Sequence, residues 1–174
     1  MIYQASVTDV LSLFTDTKWF TEDGRNRGSD VHRECSVIAL GGWGYPKNPE
    51  YRGYVESFYQ WFDRMVEKVV LVEERLFDND LSINGQPDLI CQLKGDSRLS
   101  LVDYKTSSTT SKLWVIQIAA YRWLSVKSGY DISRILAIKL KQDGSMPQVV
   151  EHQDSSQYFA IFLNMLSVYR YLKN

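Results

Sequence analysis

Apolar residues recur along this chain with two periods, and the periods divide it into helices and strands. Ser6 to Phe20 has helical spacing and opens on a capping box, Ser6 with Asp9. Asp30 to Leu40 predicts a second helix. Pro49 to Val69 predicts a third, with Tyr54, Phe58, Trp61, Phe62, Met65 and Val69 on one side. The period then shortens. Leu81, Ile83, Leu89, Ile90 and Leu93 surround a Gly85-Gln86-Pro87 interruption, Lys94 to Ser97 reads as a turn, and Leu99 to Lys105 alternates as a strand. Lys112 to Lys127 returns to helical spacing. Arg134 to Leu140 predicts a strand that pairs with Gln148 to Glu151 across an Asp143-Gly144 turn, and Asp154 to Leu172 a closing helix. These elements predict an α/β fold, a central mixed β-sheet flanked by helices, with a site at one sheet edge.

On the strand, side chains alternate between faces, so Leu99, Leu101, Asp103 and Lys105 share one face. Asp88 lies on the preceding strand of the predicted hairpin, where cross-strand neighbours approach to about 5 Å. Two carboxylates that close repel unless a cation lies between them. Hard oxygen donors suit Mg²⁺ or Mn²⁺ rather than zinc. On the next helix Leu113, Gln117, Tyr121 and Leu124 form one stripe, with Gln117 and Tyr121 four residues apart. An amide within an apolar stripe needs polar partners, and Asp103 and Lys105 would supply them.

In this order Gly85-Gln86-Pro87-Asp88-Leu89-Ile90, Asp103-Tyr104-Lys105 and Gln117-Ile118-Ala119-Ala120-Tyr121 resemble the PD-(D/E)xK nuclease superfamily, and within it the RecB-like branch with a Gln-x-x-x-Tyr motif. That branch carries an upstream Gly-x-x-x-His pattern in a helix; Gly28-Ser29-Asp30-Val31-His32 fits it, with Ser29 or Asp30 as N-cap. It also carries an acidic residue one strand earlier, a place taken by Glu73 or Glu74, with Glu74 favoured. The resemblance covers roughly His32 to Tyr121. It implies a restriction-endonuclease-like core. It also implies Asp88, Asp103, His32, Glu74 and the Tyr104 main-chain carbonyl as metal ligands. Lys105 would orient the attacking water and offset charge on the phosphate. Gln117 and Tyr121 would contact the phosphate or brace Lys105. The implied metal is Mg²⁺ or Mn²⁺, which lowers the pKa of its bound water. The implied activity is phosphodiester hydrolysis of DNA, with an exonuclease on DNA ends favoured, in recombination, repair or phage replication. Two other readings stay open: an endonuclease on branched or single-stranded DNA, and a nucleic-acid-binding module that no longer cleaves.

Asp-x-Lys alone is a weak signal. Asp16-Thr17-Lys18 has the same spacing but no strand context and no partner carboxylate, so it reads as solvated surface. At 174 residues and 44% hydrophobic, the chain reads as a single nuclease domain over 1–174, helical over 1–69 with the catalytic sheet and helices over 70–174. A net charge of −1 requires any DNA-binding charge to be local. Arg25, Arg27, Arg33 and Lys47 gather near His32, and Lys112 and Arg122 flank Lys105. Trp19, Phe20, Trp43 and Tyr45 accompany the first cluster, where exposed rings could stack on unpaired bases. The two cysteines, Cys35 and Cys91, cannot supply a four-cysteine iron–sulfur cluster. No apolar run reaches membrane-spanning length and no export signal opens the chain, so a cytoplasmic location is expected. A homo-oligomer or a recombination-protein partner remains open.

Overall fold

In the computed structural model the described residues are 4–15, 21–107, 110–153 and 155–173. Asp16-Thr17-Lys18, Trp19 and Phe20 lie outside them. The chain runs β1 (Ala5–Ser6), α1 (Val7–Ser12), α2 (Glu22–Ala39), a short 3-10 turn (Pro49–Tyr51) and α3 (Arg52–Met65). It continues through β2 (Val66–Val72), β3 (Leu76–Asp78), β4 (Ile83–Gly85), β5 (Leu89–Leu93), β6 (Leu99–Lys105) and α4 (Leu113–Lys127), then β7 (Ile132–Lys139), β8 (Gln148–His152) and α5 (Ser155–Lys173). The main sheet has the order β2-β5-β6-β7-β8, and a three-stranded sheet has the order β1-β4-β3. β6 and β7 pair in parallel while the other main-sheet pairs are antiparallel, so the sheet is mixed. Parallel neighbours need a crossover, and α4 supplies it.

Two apolar cores follow from the strand alternation. Ile90, Leu101, Ile135 and Ala137 face one core, shared with α1, α4, α5 and the small sheet. Leu89, Cys91, Val102, Tyr104, Leu136 and Ile138 face the other, shared with α2 and α3. Strands buried on both faces carry few polar positions. A polar group inside β6, such as Asp103, therefore stands out.

Several predicted boundaries move. Ser6 does cap α1, its hydroxyl accepting from the Asp9 N–H at 3.0 Å, but the helix ends at Ser12. The second helix begins at Glu22, not Asp30. Its N-cap is Thr21, whose hydroxyl accepts from the Gly24 N–H at 3.0 Å, so Ser29 and Asp30 lie in the helix interior. The third helix stops at Met65, because Val66–Val72 continues as β2. β7 and β8 pair from Lys139 opposite Gln148, which makes the connection longer than the Asp143-Gly144 turn alone. Among the described residues no helix is long and apolar enough to cross a membrane.

Candidate active site

Asp88 immediately precedes β5, and Asp103 lies near the end of β6, where Leu89 pairs with Val102. Both carboxylates are buried. They sit at the ends of the inner strands β5 and β6, and Glu73 follows the outer strand β2. Asp88 Oδ2 accepts the Tyr104 N–H at 2.6 Å, which leaves Oδ1 facing His32 Nδ1 at 3.2 Å. His32 Nε2 lies 3.1 Å from the Tyr104 carbonyl oxygen. Both partners are acceptors, which favours the charged form of the imidazole. Burial opposes that charge, but the Asp88 carboxylate, with help from Glu73, outweighs it and raises the imidazole from 6.5 to about 10. Burial likewise opposes the charge on Asp88, yet His32, Lys105 and the Tyr104 N–H hold that carboxyl below its ordinary value.

Glu73, and not Glu74, completes this group. One donor atom from each of His32, Glu73 and Asp88 lies within 4.8 Å of the other two. Glu74 is exposed. The physical reason is local: Glu73 has a left-handed φ of 48°, and its N–H donates to the Asp88 carbonyl at 3.1 Å. That turn aims Glu73 inward. Gln86 Nε2 donates to Glu73 Oε2 at 2.8 Å and fixes it there. Backbone strain of this kind costs free energy and persists where the surroundings impose it.

Asp103 belongs to the second half of the site. Burial and the Asp88 charge push its carboxyl up to about 6 against the opposing pull of Lys105. Its Oδ2 is buried and makes no aligned hydrogen bond, although Lys105 Nζ stands 2.6 Å away. Lys105 Nζ also donates to Gln117 Oε1 at 2.8 Å, and Gln117 Nε2 donates to the Tyr121 hydroxyl at 3.1 Å. The Trp114 ring lies beneath the ammonium at 5.7 Å. A cleft of about 570 Å³ opens over the first half, lined by Gly28, Ser29, His32, Arg33, Glu73 and Gln86 among others.

The oxygen-rich donor set fits a divalent cation. His32, Glu73 and Asp88 each offer a donor atom within 4.8 Å of the other two, the Tyr104 carbonyl lies beside them, and Asp103 adds a buried oxygen without an aligned partner.

The basic residues divide. Arg33 lines the cleft and pairs with Asp30 and Glu34. Arg25 is exposed on the first half of α2, and Arg27 pairs with Asp23 at 3.2 Å and lies over the Tyr54 ring. Lys112 is exposed just ahead of α4, at the end that carries Gln117. Arg122 does not join them: it donates to the Ile132 carbonyl at 3.2 Å, and Ile132 pairs with Leu99 at the opposite end of β6 from Lys105. Gln86 and Trp114 were not singled out by pattern. Gln86 adjoins the Pro87-Asp88 pair, and Trp114 precedes Gln117 by one helical turn, so proximity to a motif was the available signal.

No curated protein matches the chain. Among solved structures, a putative exonuclease from Eubacterium rectale is similar at 12% identity and a TM-score of 0.49, over 95% of this chain and 77% of that one. An alkaline exonuclease from Laribacter hongkongensis is similar at 11% identity and a TM-score of 0.46, over 98% of this chain and 91% of that one. Residues 41–166, well over half of the sequence and including Glu73, Asp88, Asp103, Lys105, Gln117 and Tyr121, match the PD-(D/E)XK nuclease superfamily, and the chain belongs to it.

Proposed function

We propose that this protein is a divalent-metal-dependent deoxyribonuclease acting on DNA ends, with Mg²⁺ or Mn²⁺ as its ion. One observation carries the reading: the His32, Glu73 and Asp88 donors within 4.8 Å of one another, beside a lysine held by Asp103 and Gln117. Glu73, Asp88, Asp103, the Tyr104 carbonyl and His32, once it gives up a ring proton, would hold the ion. A bound divalent ion acts as a Lewis acid on the scissile phosphate and eases deprotonation of the attacking water.

The chain's own groups do the rest. Lys105 orients the water through an N–H bond and offsets the growing charge on the phosphate. Gln117 fixes the ammonium by accepting from it, and the Tyr121 hydroxyl fixes the amide by accepting in turn. Burial raises the Tyr121 phenol well above its ordinary value, so it stays protonated and can pass a hydrogen bond onward. The end-directed mode is supported by the likeness of Gln117 and Tyr121 to the Gln-x-x-x-Tyr pattern. The same reading takes the chain as one nuclease domain, since α2 and α3 cover one face of the main sheet and α4 and α5 the other.

The test is digestion of labelled linear and covalently closed DNA with Mg²⁺ or Mn²⁺, using wild type beside Asp103→Ala and Lys105→Ala. Loss of linear DNA alone, absent in Asp103→Ala, is the expected result. Cleavage of closed circles would replace the end-directed mode with an endonuclease. Failure to cut any substrate or to bind Mn²⁺ would remove the nuclease reading from this chain.

A further inference from the structure

The segment that follows α2, Gly41-Gly42-Trp43-Gly44-Tyr45-Pro46-Lys47-Asn48, is unusually fixed for a surface loop with exposed rings. Gly41 ends the helix at a φ of +86°. Gly42 and Gly44 then press on α2 so closely that an added Cβ would stand 2.8 Å from Val37 Cγ1 and 2.6 Å from the Glu34 carbonyl oxygen. Two buried carboxylates of α2 hold the next stretch. Glu34 Oε2 accepts the Tyr45 N–H at 2.7 Å, and Asp30 Oδ2 accepts the Lys47 N–H at 2.9 Å. Pro46 is buried between them. On this pedestal Trp43 is 94% exposed and Tyr45 64% exposed.

A lone exposed ring needs no explanation. Here the backbone on either side is locked while the indole is offered to solvent, and the anchoring charges are linked to the candidate site. Arg33 contacts both Asp30 and Glu34 and also lines the cleft that holds His32 and Glu73. Exposed cations border the rings: Arg52 lies 4.9 Å over the Tyr45 ring, and Lys47 follows two residues on. Rings held rigidly beside cations fit a strand whose bases are unpaired, since bases stack on the rings while phosphates meet the charges.

We propose that the loop from Gly41 to Asn48 is a stacking platform for single-stranded DNA leading to the cleft, with Trp43 as the principal ring and Tyr45 as the second. The choice of polymer rests on the nuclease reading above. Rigidity serves the purpose, because a ring already in place loses little freedom when a base stacks on it.

The experiment measures binding of a short labelled oligothymidylate and of a blunt duplex to the full chain in EDTA, where metal-assisted cleavage is suppressed. Trp43→Ala should bind oligothymidylate about tenfold more weakly, with Trp43→Ala/Tyr45→Ala weaker again. Duplex binding should be unchanged. Trp43→Phe should keep most of the affinity while losing the quench of tryptophan emission that the oligonucleotide causes in wild type. Because Trp43 is exposed, the melting temperature serves as a folding control. Equal oligothymidylate binding by Trp43→Ala and wild type would overturn the proposal, as would equal losses for single strand and duplex. A self-associating species in sedimentation that Trp43→Ala dissolves would assign the loop to a contact between copies instead. Cleavage of DNA with Trp43-independent binding would sink the platform and leave the nuclease standing. Trp43-dependent binding without cleavage under any metal would do the reverse.

Discussion

Lys105 is approached from three sides, by Asp103 Oδ2 at 2.6 Å, by Gln117 Oε1 at 2.8 Å and by the Trp114 ring at 5.7 Å. Its ammonium cannot swing freely, so under the proposed function little ordering would remain to be done when substrate binds. The three contacts predict a graded series in single-turnover cleavage of linear DNA. Lys105→Ala should lose about 10²- to 10⁴-fold. Gln117→Ala should lose about tenfold, because Asp103 still holds the ammonium while one anchor is gone. Tyr121→Phe should lose less, since only the orientation of the amide relaxes. Wild-type rates in Gln117→Ala would show that the glutamine does not position the lysine. This half of the site was legible because it is local: a period of two places Asp103 beside Lys105, and a spacing of four places Gln117 beside Tyr121. Glu73 was not decidable. Which of two adjacent glutamates turns inward depends on the left-handed φ of 48° at Glu73, and no side-chain pattern announces that conformation in a non-glycine residue.

Elements meet with little tolerance where β4 passes under α4. An added Cβ on Gly85 would stand 2.8 Å from Tyr121 Cε1 and 2.8 Å from Leu124 Cδ1. Gly85→Ala should therefore destabilise the protein by about 1–3 kcal/mol in urea, the usual cost of overpacking. It should also slow cleavage, by shifting Tyr121 away from Gln117, without touching a charged group. A fully active, equally stable Gly85→Ala would refute the close packing of this glycine. A second tie joins β3 to α4: Asp78 accepts the Trp123 indole N–H at 2.7 Å and the Leu81 N–H at 3.0 Å. Burial works against the charge, but these donors hold the carboxyl below its ordinary 3.8. A depressed folded value means stability that is present above the unfolded value and lost as pH falls through the folded one. Asp78→Asn should thus cost about 1–2 kcal/mol at neutral pH, and its gap from wild type should narrow below about pH 4. A pH-independent gap would exclude the carboxylate as its source. The helical and strand periods were legible for β6, α4 and α5, where one period runs without competition. They failed at Val66–Val72, an apolar run that continues the stripe of α3 as readily as it starts a strand. They failed again at Gly24 and Gly28, which argue against a helix that nonetheless runs back to Glu22, where the Thr21 hydroxyl caps it.

At the scale of the whole molecule, the site lies where the two cores meet. His32 comes from α2 over one face of the main sheet, and Gln117 and Tyr121 come from α4 over the other. Asp88 and Asp103 stand between them at the ends of inner strands, and Glu73 enters from the turn after β2. The order of strands could not be read from the sequence, because pairing across the sheet is set by long-range packing rather than by local pattern. An ion held as proposed would be a clip between separate elements. A ligand held only by the folded state stabilises it by mass action, about 2.7 kcal/mol at a hundred times its dissociation constant. For a chain of this length that corresponds to a rise in melting temperature of roughly 5–10 °C. Wild type without DNA should show such a rise with Mn²⁺, and Asp88→Ala should not. Glu73→Ala should lose most of the rise while Glu74→Ala keeps it, since Glu73 stands within 4.8 Å of His32 and Asp88 and Glu74 points to solvent. Melting each variant with and without Mn²⁺ checks the assignment independently of cleavage. A rise retained in Glu73→Ala and lost in Glu74→Ala would return the metal to the neighbouring glutamate and require the turn after β2 to flip when the ion binds.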